Sequence, residues 1–92
     1  MITAIVMVHT AADRIPETAQ AIADLDGVSE VYSCAGDVDL IAIVKVAAHD
    51  ELADVIAGRL SKIPGVVRTD THIAFRSYSS ADTDAIFSAG LD

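Results

Sequence analysis

The residues best placed to do chemistry stand together in Gly36-Asp37-Val38-Asp39. An Asp-x-Asp pair offers oxygen ligands to a divalent metal, but such a site needs more of them, and no third ligand lies nearby in sequence. No metal or cofactor is therefore expected. The same four residues equally suit a tight turn with two solvated acids. Cys34 stands just before the turn. No adjacent Lys, Arg or His activates its thiol, so it reads as a small buried hydrophobe. His9, His49 and His72 invite an acid–base reading, yet no spacing sets any of them beside a nucleophile or a carboxylate. Catalysis is not the expectation.

These groups need elements to hold them. Gly36-Asp37 lies between two apolar stretches rich in β-branched residues, over 28–34 and 39–47. Gly followed by Asp in that setting is a hairpin signal, because Gly accepts positive φ and Asp tolerates it. A first strand spans 2–9, with Ile2, Ala4, Val6 and Val8 on one face and Ile5 and Met7 on the other. The strand after the turn is likewise two-faced, with Leu40, Ala42, Val44 and Val46 against Ile41 and Ile43. Strands apolar on both faces are covered on both faces.

Between the first two strands, Thr10-Ala11-Ala12-Asp13 forms a loop with a candidate N-cap, and a helix follows over 15–25. Pro16 falls in its first turn, where a missing N–H costs nothing. Ile15, Ala19, Ile22, Ala23 and Leu25 make its apolar stripe, and Gly27 is its left-handed cap residue. A second helix starts at His49-Asp50 and carries Leu52, Val55, Ile56, Leu60 and Ile63 at helical spacing, to be stopped by Pro64-Gly65. A fourth strand runs over 66–78. The tail, 79–92, is polar except for Ala85-Ile86-Phe87, a candidate docking helix.

Leu25-Asp26-Gly27-Val28 and Ile63-Pro64-Gly65-Val66 occupy equivalent places, each after a helix and before a strand. The order is therefore βαβ, hairpin, βαβ. It predicts an α+β chain of ferredoxin-like type, a βαββαβ sandwich with a four-stranded antiparallel sheet and both helices on one face. The domain covers 1–78. Two helices leave the second sheet face bare, although its central strands are apolar there. Burying several such side chains at roughly 1.5–3 kcal/mol each drives sheets to pack face to face. A homodimer of dimeric α+β barrel type is the minimal expectation.

Composition agrees. The chain has 92 residues, 52% of them hydrophobic, more than a small monomer's interior holds. Its formal charge of −8 and its six scattered Lys and Arg speak against direct contact with nucleic acid. No apolar run approaches the length of a membrane span. The first residues lack the basic start of a signal peptide, and one cysteine makes no internal disulfide, so a cytoplasmic setting is expected.

Over about three quarters of its length the chain resembles the effector-binding domain of the Lrp/AsnC feast/famine regulators. The likeness is carried by Gly27-Val28, the Gly36-Asp37-Val38-Asp39-Leu40 turn, the second helix and Pro64-Gly65-Val66-Val67-Arg68-Thr69-Asp70-Thr71. In that family the domain follows a winged helix-turn-helix, for which a strand starting at residue 2 leaves no room, so the chain looks like the stand-alone form. The resemblance implies a non-catalytic domain that forms sheet-packed dimers, often in rings of dimers. It implies an amino-acid effector bound between dimers near the turn and the Thr-x-Thr strand, at Gly36, Asp37, Asp39, Thr69 and Thr71. It also implies a full-length regulator of the family as a partner. An acid for the ammonium, and hydroxyls and turn N–H groups for the carboxylate, fit a zwitterion. Thr69 and Thr71 equally suit an ordinary strand. Many relatives carry an aromatic residue, commonly Tyr, where this chain has Val38. The alternatives are a small dimeric α+β barrel enzyme of monooxygenase or isomerase type, which predicts a closed polar cavity inside a dimer, and a purely structural oligomerisation module.

Overall fold

Strand β1, Ile2–Thr10, alternates fully buried Ala4, Val6 and Val8 with half-buried Ile5 and Met7. Strand β3, Leu40–Val46, does the same, burying Leu40, Ala42, Val44 and Val46. Two such strands belong in the middle of a sheet, and there they lie. In the computed structural model, which describes residues 1–80, the strand order is β2-β3-β1-β4 with every neighbour antiparallel. Strand β2, Val28–Ser33, and strand β4, Val66–Ala74, form the edges. Helix α1, Ile15–Ala23, and helix α2, His49–Ile56, pack on the face that carries Val6, Val8, Ala42 and Val44. The fold is the expected ferredoxin-like sandwich. Ile22, Leu52, Val55 and Leu60 close the core from the helix side.

The two equivalent turns are the same turn. Val28 N–H donates to Leu25 O at 3.2 Å, and Val66 N–H donates to Ile63 O at 3.1 Å. Gly27 (φ 94°) and Gly65 (φ 100°) sit third in each, in the left-handed region that favours glycine. Each glycine carbonyl then accepts a backbone N–H from another part of the chain. Gly27 O takes Lys45 N–H at 2.8 Å, and Gly65 O takes Ala11 N–H at 2.9 Å. A Cβ on Gly65 would collide with the hydroxyl oxygen of buried Thr18, whose O–H donates to Pro64 O at 3.3 Å.

Several boundaries differ from the sequence reading. Helix α1 stops at Ala23, so Gly27 serves the following turn and not the helix cap. Its N-terminus has no side-chain cap among the described residues; a 3₁₀ turn, Ala12–Arg14, leads into it instead. Its inner stripe includes Thr18, while Ala23 faces solvent. Helix α2 ends at Ile56: Ala57 N–H makes the last regular bond, to Ala53 O, and Gly58 N–H reaches back to the same oxygen where a continuing ladder would use Asp54 O. A separate 3₁₀ turn, Leu60–Lys62, then drops Leu60 into the core. Strand β4 ends at Ala74, not near residue 78, since Thr3 is the last β1 residue that pairs with it. The stretch Ala85-Ile86-Phe87 lies outside the described residues.

The second sheet face is open. Register places Thr3, Ile5, Met7 and His9 of β1 beside Ile41, Ile43 and Lys45 of β3, Glu30 and Tyr32 of β2, and Arg68, Asp70, His72 and Ala74 of β4. Its centre, formed by Ile5, Met7, Ile41 and Ile43, is apolar and half-buried. Replacing Gly65 by Ala combines a left-handed backbone with a collision against Thr18. We expect a loss of about 2–4 kcal/mol in urea unfolding.

Candidate functional site

The connection between β2 and β3 covers residues 34–39, longer than a two-residue hairpin. Asp39 holds it. Cys34 N–H donates to Asp39 O at 2.9 Å and closes the loop, while Asp39 N–H donates to Val8 O at 3.1 Å. The Asp39 carboxylate accepts Thr10 N–H through Oδ2 at 2.9 Å. Asp39 is thus fastened to the end of β1 by main chain and side chain together. Gly36, with φ 127° and open space where a Cβ would lie, supplies the loop's left-handed residue, and Asp37 takes ordinary negative φ. Both are exposed. Of the two carboxylates, Asp37 is the one presented to solvent at the tip. Cys34 is half-buried, its Sγ 3.7 Å from Tyr32 O.

Thr69 lies opposite Val8 in the β1–β4 ladder, and Thr71 lies opposite Val6. They share a face with those residues, on an edge strand the helices leave partly uncovered, so Thr69 is half-buried and Thr71 exposed. Asp39 and Thr69 therefore flank Val8 from its two sides, about 10 Å apart across two strand spacings. Gly36, Asp37 and Asp39 thus stand together in the loop before β3, while Thr69 and Thr71 lie on β4 beyond β1, Thr71 at mid-strand opposite Val6. Sequence reasoning missed Thr10, which contributes its N–H to Asp39 and whose Oγ1 is buried without a hydrogen-bond partner among the described residues. A contact between residues 29 apart leaves no local pattern to read.

Two concave surfaces lie elsewhere. One depression of about 420 Å³ is lined by Met1, Gly27, Lys45, Glu51, Asp54 and Arg59, and another of about 240 Å³ by Met1, Thr3, Phe75 and Arg76. Both are at the start of β1, the opposite end from the loop. The histidines are dispersed: His49 begins α2, while His9 and His72 sit on the open sheet face. Among the described residues, no cluster of His, Cys, Asp and Glu could hold a metal, and no helix is long and apolar enough to cross a membrane. On the open face, the Tyr32 hydroxyl donates to Glu30 Oε2. That hydrogen bond, and then the Glu30 charge, hold the phenol above its ordinary value of 10.0.

A family profile described as the Lrp/AsnC ligand binding domain matches residues 3–83. The chain belongs to the Lrp/AsnC family. It is 36% identical over 72 residues to the HTH-type transcriptional regulator LrpA1 of Halobacterium salinarum, covering 78% of this chain and 49% of that protein. The chain spans about half the length, or less, of the curated relatives it matches. A crystal structure of a Thermus thermophilus protein superposes with a TM-score of 0.81 at 42% identity, covering 86% of this chain and 99% of that one. A transcriptional regulator of Neisseria meningitidis, solved as a complex with L-Met, shares the fold with a TM-score of 0.75 at 14% identity, over 85% of this chain and 52% of that one. As an Lrp/AsnC domain the chain carries a Gly-Asp-x-Asp turn fastened by its second Asp.

Two measurements probe this geometry. Asp39→Ala leaves the Thr10 N–H without its acceptor and should cost about 1–3 kcal/mol, with faster amide exchange at Thr10, while Asp39→Asn keeps an acceptor and loses less. Glu30→Gln removes the charge beside Tyr32. Its ultraviolet alkaline titration should show that phenol moving down toward the ordinary tyrosine value.

Proposed function

We propose that this chain is a non-catalytic effector-binding and oligomerisation domain, which holds an amino acid between dimers and so changes how the dimers assemble. The observation that carries this reading is the placement of Asp37 on an exposed tip whose base is fastened by Asp39 to the end of β1. Such a tip presents a carboxylate on a rigid mount, at the opposite end of the sheet from the depressions beside Met1. A site of this shape is completed by another copy. Asp37 receives the ligand's ammonium group. The Gly36 N–H and the hydroxyls of Thr69 and Thr71 serve its carboxylate, and Asp39 keeps the tip in place.

Membership in the Lrp/AsnC family and the L-Met complex of the Neisseria meningitidis regulator support an amino acid as the ligand class. Val38 contributes no ring or hydroxyl to the turn, which favours a small or aliphatic side chain over one that needs a polar partner. The dimer forms through the open sheet face, where Ile5, Met7, Ile41 and Ile43 are half-buried and each contributes up to about 1.5–3 kcal/mol when fully covered. An effector then shifts the balance of assemblies by its differential affinity for them. A mixed assembly with an HTH-type regulator of the family, joined through the same face, carries the effect to DNA.

Light scattering on the purified chain, with and without each of the common amino acids, tests the reading. The expected result is a dimer or larger species whose mass changes with one or a few amino acids, a response lost in Asp37→Ala with folding intact. A mass indifferent to every amino acid would overturn it in favour of a structural oligomerisation module or a small α+β barrel enzyme.

A further inference from the structure

Two features at the Met1 end of the sheet complement each other. The first is an aromatic arm. Beyond β4 the chain runs on through Phe75-Arg76-Ser77-Tyr78 without regular structure. Phe75 is 97% exposed and Tyr78 84%, so two large aromatic side chains within four residues are left in water. Phe75 and Arg76 border the smaller depression beside Met1 and Thr3, yet the Phe75 ring does not settle into it. Among the described residues Arg76 has no ion-pair partner, and residues 75–80 contain no acid.

The second is the larger depression, whose volume of about 420 Å³ lies within the range of ordinary ligand pockets. Its base is apolar. Val46 and Val55 line it and are both buried, and Gly27 adds no side chain, since a Cβ there would lie 3.0 Å from Val55. Around that base stand the carboxylates of Asp26, Glu51 and Asp54, against one guanidinium, Arg59. The alternation of β3 directs Lys45 to the opposite sheet face. Glu51 accepts Ala47 N–H at 3.4 Å, while the side chains of Asp26 and Asp54 have no partner among the described residues. An apolar base with an acidic rim suits an aromatic ring that has a cation beside it.

A chain cannot fill its own depression with this ring. Ala74 is paired with Thr3, and the depression lies past β1 at the end of β3, about 10 Å away across two strand spacings. Phe75, one residue beyond Ala74, does not span that distance. A second copy can supply it. Arm and depression share one end of the molecule, so a single two-fold axis lets two copies exchange arms and closes the pair. Four aromatic rings at about 150–250 Å² each, with the equal area they cover, reach the roughly 1,200–2,000 Å² of a specific interface.

We propose that residues 75–78 are an arm that seats on a second copy of the chain, with Phe75 on the Val46–Val55 base and Arg76 against Asp54 and the neighbouring acids, and that the exchange is reciprocal. This contact lies at the opposite end of the sheet from the effector loop and does not rest on the effector reading. It also leaves the open sheet face free.

Phe75→Trp introduces the chain's one tryptophan and reports on the arm directly. Its emission should be that of a shielded indole at high protein concentration and should shift to that of a water-exposed one on dilution. Asp54→Arg in that background sets a like charge opposite Arg76, on the helix side and away from the open sheet face. It should raise the midpoint concentration of the shift about tenfold or more. Adding Arg76→Glu restores opposite signs and should bring the midpoint back toward its starting value, with circular dichroism unchanged throughout. An indole exposed at every concentration overturns the arm exchange, as does one still shielded where sedimentation shows only monomer. A midpoint that ignores Asp54→Arg, or that Arg76→Glu leaves raised, overturns it as well.

Discussion

Strands β1 and β3 are apolar on both faces, and two short helices can cover only one of them. Most of the architecture answers to that mismatch. It sends β1 and β3 to the centre of the sheet, where each is flanked on both sides, and leaves β2 and β4 to meet solvent at the edges. It also explains the composition: side chains such as Ile5, Met7, Ile41 and Ile43 are in excess of what one chain can bury. The helix-side core is complete, with Ala4, Val6, Val8, Leu40, Ala42 and Val44 fully buried. The other face is a second half-core.

The candidate site depends on the same strands in a different way. The loop over 34–39 hangs on the end of β1 through Asp39, so its tip inherits the rigidity of a central strand. A binding group gains from being mounted on such an element, because less freedom is lost when the ligand arrives. Asp37 and Asp39 are alike in sequence and unlike in structure. One is offered outward, and the other is consumed in holding it there.

That division shows how far the sequence could be read. The two-faced strands, the repeated Gly-Val turns and the Gly-Asp-x-Asp turn are local patterns, and each marks its element correctly. What escaped was non-local or polar. Thr18 faces the core because its hydroxyl meets Pro64 O from the other half of the chain, a partner no periodicity reveals. The break after Ile56 depends on two N–H groups sharing Ala53 O, although the apolar spacing continues through Leu60 and Ile63. The end of β4 is set by where β1 begins. The fastening of Asp39 to Thr10 and the pairing of Arg68 with His9 belong to the sheet register, which exists only once the fold does.

The repeated turns have a consequence for how the chain folds. Each βαβ half has its two strands parted by a strand of the other. The glycine that closes each half abuts the opposite half: Gly27 faces Val55 and Val46, and Gly65 faces Thr18. Neither half has a sheet of its own, and neither turn has room for anything larger once the other half is in place. The two repeats are therefore a single cooperative unit, in which most sheet contacts must be made across long stretches of chain before either half gains its core. Separated at the central loop, the halves would be fragments that need each other to fold.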